Sequence, residues 1–432
     1  MHIFFSGIGG AGIGPLALIA HKAGYRVSGS DKRDSTYIHY LREHGISDIS
    51  IGQTSEAIAA VHHRDPIDWY VYSSAVAIEQ PDGPELTFCR KHDIKMTKRD
   101  ELLNAILSQK KLKLIAIAGT HGKTTTTAMA VWALKQLGVP VSYSIGAKIG
   151  FGDMGEYDLQ SEYFVYEADE YDRNFLAFSP DMSLITGIDW DHPDIYPTRE
   201  EYNQAFRDFL AQTQTAVLWQ ADIERLGVTP GPQMVIIHED DPAIDLELSL
   251  AGQVNRQNAW QVAWGLHRLL GYDLSTILRK LDAFPGAGRR FERIARNVYS
   301  DYAHTPPKLR GALQTARETA SDNVVVVYEG IHNSRQHFIL DELHNLFDNV
   351  KHLYIVPTYL GREDPSLELL TPERLKSALS EQAQVHTTAS QLDDRLAAAI
   401  AHHAAEGSLV IGFSAGGGGS LDEWLRAQFA AK

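Results

Sequence analysis

The sequence predicts an α/β protein built from three domains. Apolar segments of strand length alternate with amphipathic helical segments along the chain, a pattern typical of parallel sheets with helical crossovers. Two of these strand–turn–helix units carry glycine-rich turns, at residues 7–12 and 119–124. A chain of 432 residues is also too long for one hydrophobic core. We place the domains at residues 1–108, 109–295 and 296–432.

The composition is that of an ordinary globular protein, with 44% hydrophobic and 22% charged residues. Its net charge of -15, from 40 basic and 55 acidic side chains, disfavours a nucleic-acid partner. The single cysteine, Cys89, excludes an internal disulfide and a cysteine-based zinc site, which fits a reducing compartment. No apolar run has the length of a membrane span, and the first residues lack the pattern of a signal peptide. We therefore expect a cytoplasmic protein with no membrane partner, either a monomer or a homodimer.

The first glycine-rich turn predicts a diphosphate site. Residues 2–6 form a short apolar strand that leads into GIGGAG, and an apolar helix follows. In this context the turn binds a dinucleotide or a nucleotide sugar, and Asp31 stands where an acidic residue meets a ribose. A further strand, residues 69–72, opens onto Ser73-Ser74-Ala75 at an edge where open α/β sheets place ligands. The candidate contacts are Gly9, Gly10, Gly12, Ser30, Asp31, Ser73 and Ser74.

The second glycine-rich turn predicts a nucleoside triphosphate site. An apolar strand, residues 114–118, is followed by GTHGKT and a helix over residues 125–137. The glycines turn backbone amides toward an anion, Lys123 supplies an ammonium and Thr124 offers a hydroxyl to Mg²⁺. The usual pattern has glycine at position 117, where this chain has isoleucine, so the loop is the shorter G-x-x-G-K-T form. The candidate ATP contacts here are Gly119, Thr120, His121, Gly122, Lys123, Thr124 and Thr125.

An acidic run follows the next predicted strand of this domain. The predicted strand over residues 163–166 is followed by EADEYD at 167–172. Carboxylates are the hard oxygen ligands that Mg²⁺ prefers. We expect Glu167, the first of them, to reach a metal ion. The other three, Asp169, Glu170 and Asp172, are expected to be solvated.

A histidine stands at another strand end. The predicted strand over residues 182–188 leads into DWDH, which ends on His192. A histidine flanked by aspartate beside a phosphate loop is a candidate ligand. The sequence thus predicts Thr124, Glu167 and His192 as metal ligands.

Together these motifs resemble the Mur ligase family, the ATP-dependent amide-forming enzymes of peptidoglycan synthesis. The resemblance covers almost the whole chain, and its specificity comes from many motifs in the same order. Besides the two glycine-rich turns, the matching segments are GSD at 29–31, SSA at 73–75, EADE at 167–170, DH at 191–192, NRQNA at 255–259, GRRFE at 288–292 and DYAHTP at 301–306.

The resemblance implies an enzyme that uses ATP and Mg²⁺ to join an amino acid to the lactyl carboxylate of UDP-N-acetylmuramate through an acyl phosphate. The amino acid that the resemblance favours is L-alanine. It implies Rossmann-like first and third domains and a central ATP-binding domain on a mixed or parallel sheet. Lys123 would hold the β- and γ-phosphates. Thr124 and Glu167 would bind one Mg²⁺, and Glu167 with His192 a second. Further implied contacts are Asn255, Asn258, Arg290 and Asp301 with ATP, and Tyr302, His304 and Arg335 with the muramate carboxylate or the amino acid.

Some positions depart from the family pattern. The helix lysine that is carbamylated in several Mur ligases is matched here by Phe206, which fits the branch that adds L-alanine. Val254 replaces the histidine that usually precedes the adenine segment, and His332 stands where a second arginine should accompany Arg335. The acceptor therefore stays open, and a muramyl-peptide recycling ligase is an alternative.

Two other classes explain part of the sequence. A nicotinamide-dependent dehydrogenase would account for the first glycine-rich turn, but it leaves the phosphate loop without a role. A non-catalytic, nucleotide-binding regulatory protein would account for the phosphate loop, but not for the acidic and histidine strand ends.

Overall fold

Three sheets of five, seven and six strands carry the fold of this computed structural model. It describes residues 1–73, 76, 80–192, 195–361 and 363–430. The chain divides into two compact units, residues 1–248 with 257–284 and residues 249–256 with 285–432. The first unit contains two of the sheets and the second unit contains the third. Within the described ranges, no helix combines the length and apolarity needed to cross a membrane.

The N-terminal sheet is entirely parallel, in the order β3-β2-β1-β4-β5. Its strands are β1 His2–Ser6, β2 Arg26–Asp31, β3 Ile49–Ile51, β4 Trp69–Tyr72 and β5 Lys95–Lys98, and its helices are α1 Gly14–Lys22, α2 Thr36–Glu43, α3 Ser55–Arg64, α4 Pro84–Lys91 and α5 Arg99–Lys110. The strand order reverses beside β1, which places the turn after β1 at a switch point. Open α/β sheets bind ligands at such a point.

The central sheet has the order β12-β11-β10-β6-β9-β7-β8 and is parallel except for the short β8. Its strands are β6 Lys113–Ala118, β7 Val141–Ser144, β8 Gly155–Glu156, β9 Tyr163–Glu167, β10 Met182–Ile185, β11 Thr215–Trp219 and β12 Met234–Ile237. Its helices are α6 Lys123–Gln136, α7 Arg199–Gln212, α8 Gln220–Leu226, α9 Ala243–Glu247, α10 Gln253–Leu270 and α11 Leu274–Asp282, with a 3₁₀ segment at Tyr171–Ala177. Because β6 lies between β9 and β10, the loops that follow these three strands meet at one edge.

The C-terminal sheet has the order β13-β14-β18-β15-β16-β17, with only β13 antiparallel to its neighbour. Its strands are β13 Glu292–Ala295, β14 Val298–Asp301, β15 Val324–Ile331, β16 His352–Tyr359, β17 Thr387–Ala389 and β18 Leu409–Phe413. Its helices are α12 Pro306–Ala320, α13 Asn333–Leu343, α14 Pro372–Ala378, α15 Glu381–Val385, α16 Asp394–Ala405 and α17 Leu421–Phe429. The first four valines of β15 are fully buried and alternate between two core clusters, so both faces of this sheet are covered.

Candidate active site

The phosphate loop connects β6 to the start of α6 and requires glycine at two positions. Gly119 has a φ of 140° and Gly122 a φ of 78°, which L side chains rarely adopt. A Cβ at Gly119 would also lie 2.5 Å from Thr186 Oγ1 and 2.9 Å from the Gly187 carbonyl oxygen. Thr120 N donates to that same carbonyl at 2.8 Å, which fixes the loop against the end of β10. The backbone is thus held where the N-terminus of α6 can receive an anion.

Lys123 is paired with a buried carboxylate. Its Nζ donates to Glu170 Oε1 at 2.9 Å and Oε2 at 2.7 Å, and to the Gly119 carbonyl at 2.6 Å. Burial lowers the pKa of Lys123, but Glu170 and the neighbouring carboxylates raise it further than burial lowers it, above its ordinary value. Glu170 is only 1% exposed, so the expectation that it is solvated is wrong. Its burial is possible because the lysine neutralises it.

His192 belongs to the same charged cluster. Its Nε2 lies 3.7 Å from Glu170 Oε1 and 3.9 Å from Asp191 Oδ2. Burial lowers the pKa of His192, but Glu170 and Asp191 raise it above its usual value. Burial would likewise raise the pKa of Glu170, yet Lys123 and His192 hold it at about 2. Glu170 therefore stays ionised, paired with the Lys123 ammonium and close to the His192 ring.

Thr124 and Glu167, two of the predicted metal ligands, lie together. Thr124 Oγ1 donates to Glu167 Oε1 at 2.8 Å, and Gly146 N donates to Glu167 Oε2 at 2.7 Å. A hydroxyl and a carboxylate are oxygen donors of the kind Mg²⁺ takes, together with water and phosphate oxygens. The described part of the chain contains no cluster of three or more His, Cys, Asp or Glu side chains arranged to hold a metal. The residues present fit a magnesium ion that takes much of its coordination from a bound nucleotide.

The loop after β10 is held by hydrogen bonds to the phosphate loop. Thr120 Oγ1 donates to the Asp189 carbonyl at 2.6 Å and accepts from Asp189 N at 2.8 Å. Asp222, in α8, also holds this loop, because its Oδ1 accepts a hydrogen bond from Ile188 N at 2.9 Å. Two short connections therefore fix the backbone that leads to His192.

Asp222 gives a testable pH dependence. This carboxyl is 2% exposed, and burial raises its pKa to about 6 from the model-peptide value of 3.8. Because the folded-state pKa is raised, the ionised form destabilises the fold above that pH, and stability returns as pH falls through about 6. Asp222→Asn keeps an acceptor for Ile188 N. We expect it to raise the free energy of unfolding in urea by up to about 3 kcal/mol at about pH 8.

The same measurement at lower pH provides the control for Asp222. The gain from Asp222→Asn should shrink as the pH is lowered toward the unfolded-state value, where the wild-type carboxyl is also neutral. If Asp222→Asn raised the free energy of unfolding equally at about pH 8 and at the lower pH, the raised pKa of Asp222 would be contradicted.

The first glycine-rich turn is shaped by two residues at the end of β2. Gly9 N donates to Asp31 Oδ2 at 2.9 Å, and a Cβ at Gly9 would lie 3.0 Å from that oxygen. Ser30 is fully buried, and its carbonyl accepts from the amides of Gly7 and Ile8 at 2.8 and 3.0 Å. Ser30 thus stabilises the turn through its backbone carbonyl group. The predicted contact Ser74 lies outside the described residues, whereas Ser73 follows the end of β4 directly.

One cleft of about 310 Å³ joins this turn to the phosphate loop. Its lining residues are Ala11, Gly12, Leu16, Arg99, Leu103, Lys123, Ser144, Ile145, Gly146, Tyr166, Glu167 and Asp169. It brings predicted sugar-nucleotide and ATP contacts into one space. Arg99, which the sequence reasoning missed, lines its wall.

The second unit gathers most of the other predicted contacts. The guanidinium groups of Arg289 and Arg290 lie 4.7 and 4.6 Å from the ring centre of Tyr302. Asp301 Oδ2 accepts from Phe291 N at 2.7 Å. Burial lowers the pKa of His304 to about 3, and the charges of Lys308, Arg335 and Arg290 act in the same direction. His304 is therefore neutral near pH 7.

The predicted adenine contacts both lie on α10. Asn258, in the first unit, is buried, and its Oδ1 would lie 3.1 Å from a Cβ at Gly122. Asn255, in the second unit, is half-buried, and its Nδ2 donates to the Ala251 carbonyl at 2.8 Å. The structure therefore places Asn258 beside the phosphate loop.

Three family models match the chain in order. They are the Mur ligase catalytic domain over residues 2–111, the Mur ligase middle domain over 117–226 and the glutamate ligase domain over 289–416. A relative from Desulforamulus reducens, named UDP-N-acetylmuramate–L-alanine ligase, is 31% identical over 96% of this chain and 95% of its own length. The chain belongs to the Mur ligase family. It is therefore an ATP-dependent ligase that forms an amide bond, as the family's enzymes are.

Other relatives and solved structures extend this comparison. A Nocardioides protein with the same printed name is 31% identical over 96% of this chain and 93% of its own. The crystal structure of UDP-N-acetylmuramate-alanine ligase MurC from Thermotoga maritima matches with a TM-score of 0.74 and 26% identity over 96% of both chains. A murein peptide ligase from Psychrobacter arcticus shares the fold, with a TM-score of 0.62, 22% identity and the same 96% coverage of both chains. The predicted three-domain α/β fold and the family resemblance are confirmed.

In this Mur ligase, two side chains of the first unit were missed at the sequence level. The sequence predicts a solvated Glu170, although a carboxylate beside a phosphate-loop lysine is a natural ion-pair partner. No sequence motif marks Arg99, although it directly follows β5 at the strand edge where the glycine-rich turn also lies. The roles of individual side chains and the exact domain boundaries stay predictions.

Proposed function

We propose that this Mur ligase joins an amino acid, L-alanine, to the lactyl carboxylate of UDP-N-acetylmuramate in peptidoglycan synthesis. The observation that carries the proposal is the single cleft that joins Gly12 of the first glycine-rich turn to Lys123 and Glu167. A sugar nucleotide held at the turn can present its carboxylate to the terminal phosphate of ATP in that cleft. The near full-length relatives named for this reaction support the same conclusion.

The phosphate loop would activate the sugar's carboxylate. ATP supplies the phosphoryl group, and the acyl phosphate that results is open to attack by an amine. Both partners of the first step are anions, so the barrier is largely electrostatic. Lys123 neutralises the transferring phosphate, while Thr124 and Glu167 would hold Mg²⁺, which supplies further positive charge.

The sugar nucleotide would lie on the first glycine-rich turn. Gly9, Gly10 and Gly12 let the diphosphate approach the backbone at the start of α1. Asp31 orders that turn through its bond to Gly9 N. Ser73, at the end of β4, is the further contact proposed for this substrate.

The family resemblance also assigns roles to residues of the second unit. We assign Arg290 and Asp301 to ATP, and Tyr302, His304 and Arg335 to the muramate carboxylate or the amino acid. Because the pKa of His304 is about 3, its ring is neutral and can accept a hydrogen bond from an incoming amine.

A recycling ligase that adds a peptide is the second candidate, and His332 is the observation that favours it. His332 directly precedes α13 and has a φ of 54°, and its Nδ1 lies 3.4 Å from Glu363 Oε1. It stands where the family resemblance implies an arginine. A different side chain at this position is a reason to test acceptors other than L-alanine.

Phosphate release tests the proposal. The assay combines the protein with ATP, Mg²⁺ and UDP-N-acetylmuramate, and compares L-alanine, glycine, L-serine and a tripeptide as acceptors. We expect L-alanine to give the highest kcat/KM. UDP-N-acetylglucosamine, which lacks the lactyl carboxylate, is the control and should release no phosphate. A preference for the tripeptide would establish the recycling reaction instead, and release that needs no acceptor would contradict both.

A further inference from the structure

We propose that Arg99 binds an anionic group of the sugar nucleotide, and that Asp169 is the competing anion that pairs with its guanidinium until the substrate arrives. The inference rests on the proposed function, because it concerns how the same cleft recognises its sugar substrate. It adds a binding residue that the motif comparison did not supply.

The first argument is the position of Arg99. It is the first residue of α5, directly after β5, and therefore lies at the carboxyl edge of the N-terminal sheet. A Cβ at Gly12 would clash with the Arg99 guanidinium, so the absence of a side chain at Gly12 leaves room for this cation. Arg99 lines the same cleft as Lys123 and Glu167. A substrate that extends from the turn to the phosphate loop must pass it.

The second argument is the weakness of its ion pair. Arg99 Nη2 lies 3.8 Å from Asp169 Oδ2, which is beyond hydrogen-bond distance. The preceding residue, Lys98, instead makes a close pair with Asp172 at 2.7 Å. The Asp169 carboxylate is 41% exposed and the Arg99 side chain 25% exposed. A loosely paired, partly accessible guanidinium can exchange one carboxylate for another anion at little cost.

The third argument is chemical. A guanidinium presents a planar set of N–H donors that matches a carboxylate or a phosphate, often with two parallel hydrogen bonds. The sugar nucleotide offers both groups: its diphosphate, expected at the start of α1, and its lactyl carboxylate, expected toward Lys123. Arg99 lies on the path between these two places. The shared chemistry is an anionic oxygen, and the two sources can be separated by experiment.

Binding without turnover provides that experiment. We would measure the dissociation constants of UDP-N-acetylmuramate and UDP-N-acetylglucosamine by calorimetry, without ATP, for the wild type, Arg99→Gln, Arg99→Lys and Lys98→Met. The first variant removes the charge, and the second keeps the charge but loses the planar fork. Lys98→Met is the matched control, because it removes the neighbouring cation, which pairs with Asp172. ATP affinity and thermal melting are measured on the same samples.

We expect Arg99→Gln to weaken binding of UDP-N-acetylmuramate by roughly tenfold to a hundredfold, because charge-assisted bidentate bonds are lost. The affinity of Arg99→Lys should fall between those of the wild type and Arg99→Gln. Lys98→Met should bind within about twofold of the wild type, and ATP affinity should change as little in every variant. An equal loss with both sugars would assign Arg99 to the diphosphate. A loss confined to UDP-N-acetylmuramate would assign it to the carboxylate.

Wild-type affinity in both Arg99 variants would overturn the inference while leaving the proposed function intact. A wild type that binds neither sugar nucleotide would instead overturn the proposed function, and the inference with it. If Arg99→Gln fails to fold, Arg99→Lys decides: an unchanged affinity for both sugars contradicts the proposal. Asp169→Asn is a second test and should bind UDP-N-acetylmuramate at least as tightly as the wild type, because it removes only the competing carboxylate. A loss of affinity in that variant would contradict the competing role of Asp169.

Discussion

Replacing Lys123 by alanine is expected to abolish the UDP-N-acetylmuramate-dependent release of phosphate, with a fall in kcat of at least roughly a thousandfold. The ammonium lies at the first residue of α6, where the phosphate loop directs its amides toward an anion. Lys123 is the one lysine or arginine in the loop sequence GTHGKT, residues 119–124. The measurement is a steady-state phosphate assay with L-alanine as acceptor. Near-normal turnover in this variant would count against the whole mechanism.

The stability of this variant needs its own control. Lys123 neutralises Glu170, which is 1% exposed, so its removal leaves a buried carboxylate without its main partner. Breaking a buried pair in this way typically costs about 3–5 kcal/mol. The double variant Lys123→Met with Glu170→Gln removes both charges at similar volume. We expect it to melt close to the wild type and to stay inactive, which separates lost chemistry from lost folding.

The phosphate loop was predictable from sequence because its determinants are local. An apolar strand, two glycines and a lysine within ten residues fix both the conformation and the chemistry, and the φ values of Gly119 and Gly122 agree with that prediction. The first glycine-rich turn is local in the same way, since Asp31 orders it across only two adjacent strands. Short-range patterns were therefore sufficient to predict the conformation of both turns.

Glu170 and Arg99 could not be placed by such patterns, because their surroundings come from distant parts of the chain. Glu170 looks like one carboxylate of a hydrophilic run, and only the fold shows that it is buried against Lys123, 47 residues away in sequence. Arg99 lies beside Gly12 and Asp169, each on a different element. Burial and pairing of this kind depend on the order of strands in two sheets. The sequence predicts the chemistry of a side chain better than the neighbours it will have.

Glu170→Gln is the second change with a large expected effect, and it should alter binding and turnover in opposite directions. The carboxylate accepts two hydrogen bonds from Lys123 and lies 3.7 Å from His192. A neutral amide of similar shape no longer competes with phosphate for the lysine. We therefore expect MgADP to bind about tenfold more tightly, which corresponds to about 1.4 kcal/mol. Calorimetric titration of the free protein measures this gain.

Turnover in the same variant should fall by roughly tenfold to a hundredfold, because a fixed geometry of charged groups is what lowers an electrostatic barrier. Glu170 holds Lys123 and His192 at the edge shared by β6, β9 and β10, and a weaker acceptor leaves both side chains less well positioned. Asp172→Asn is the matched control, since it neutralises a carboxylate of the same acidic run that pairs with Lys98 rather than with Lys123. Asp172→Asn should change neither the affinity for MgADP nor the turnover by more than about twofold. If Glu170→Gln bound MgADP and turned over like this control, Glu170 would have no positioning role in the phosphate site.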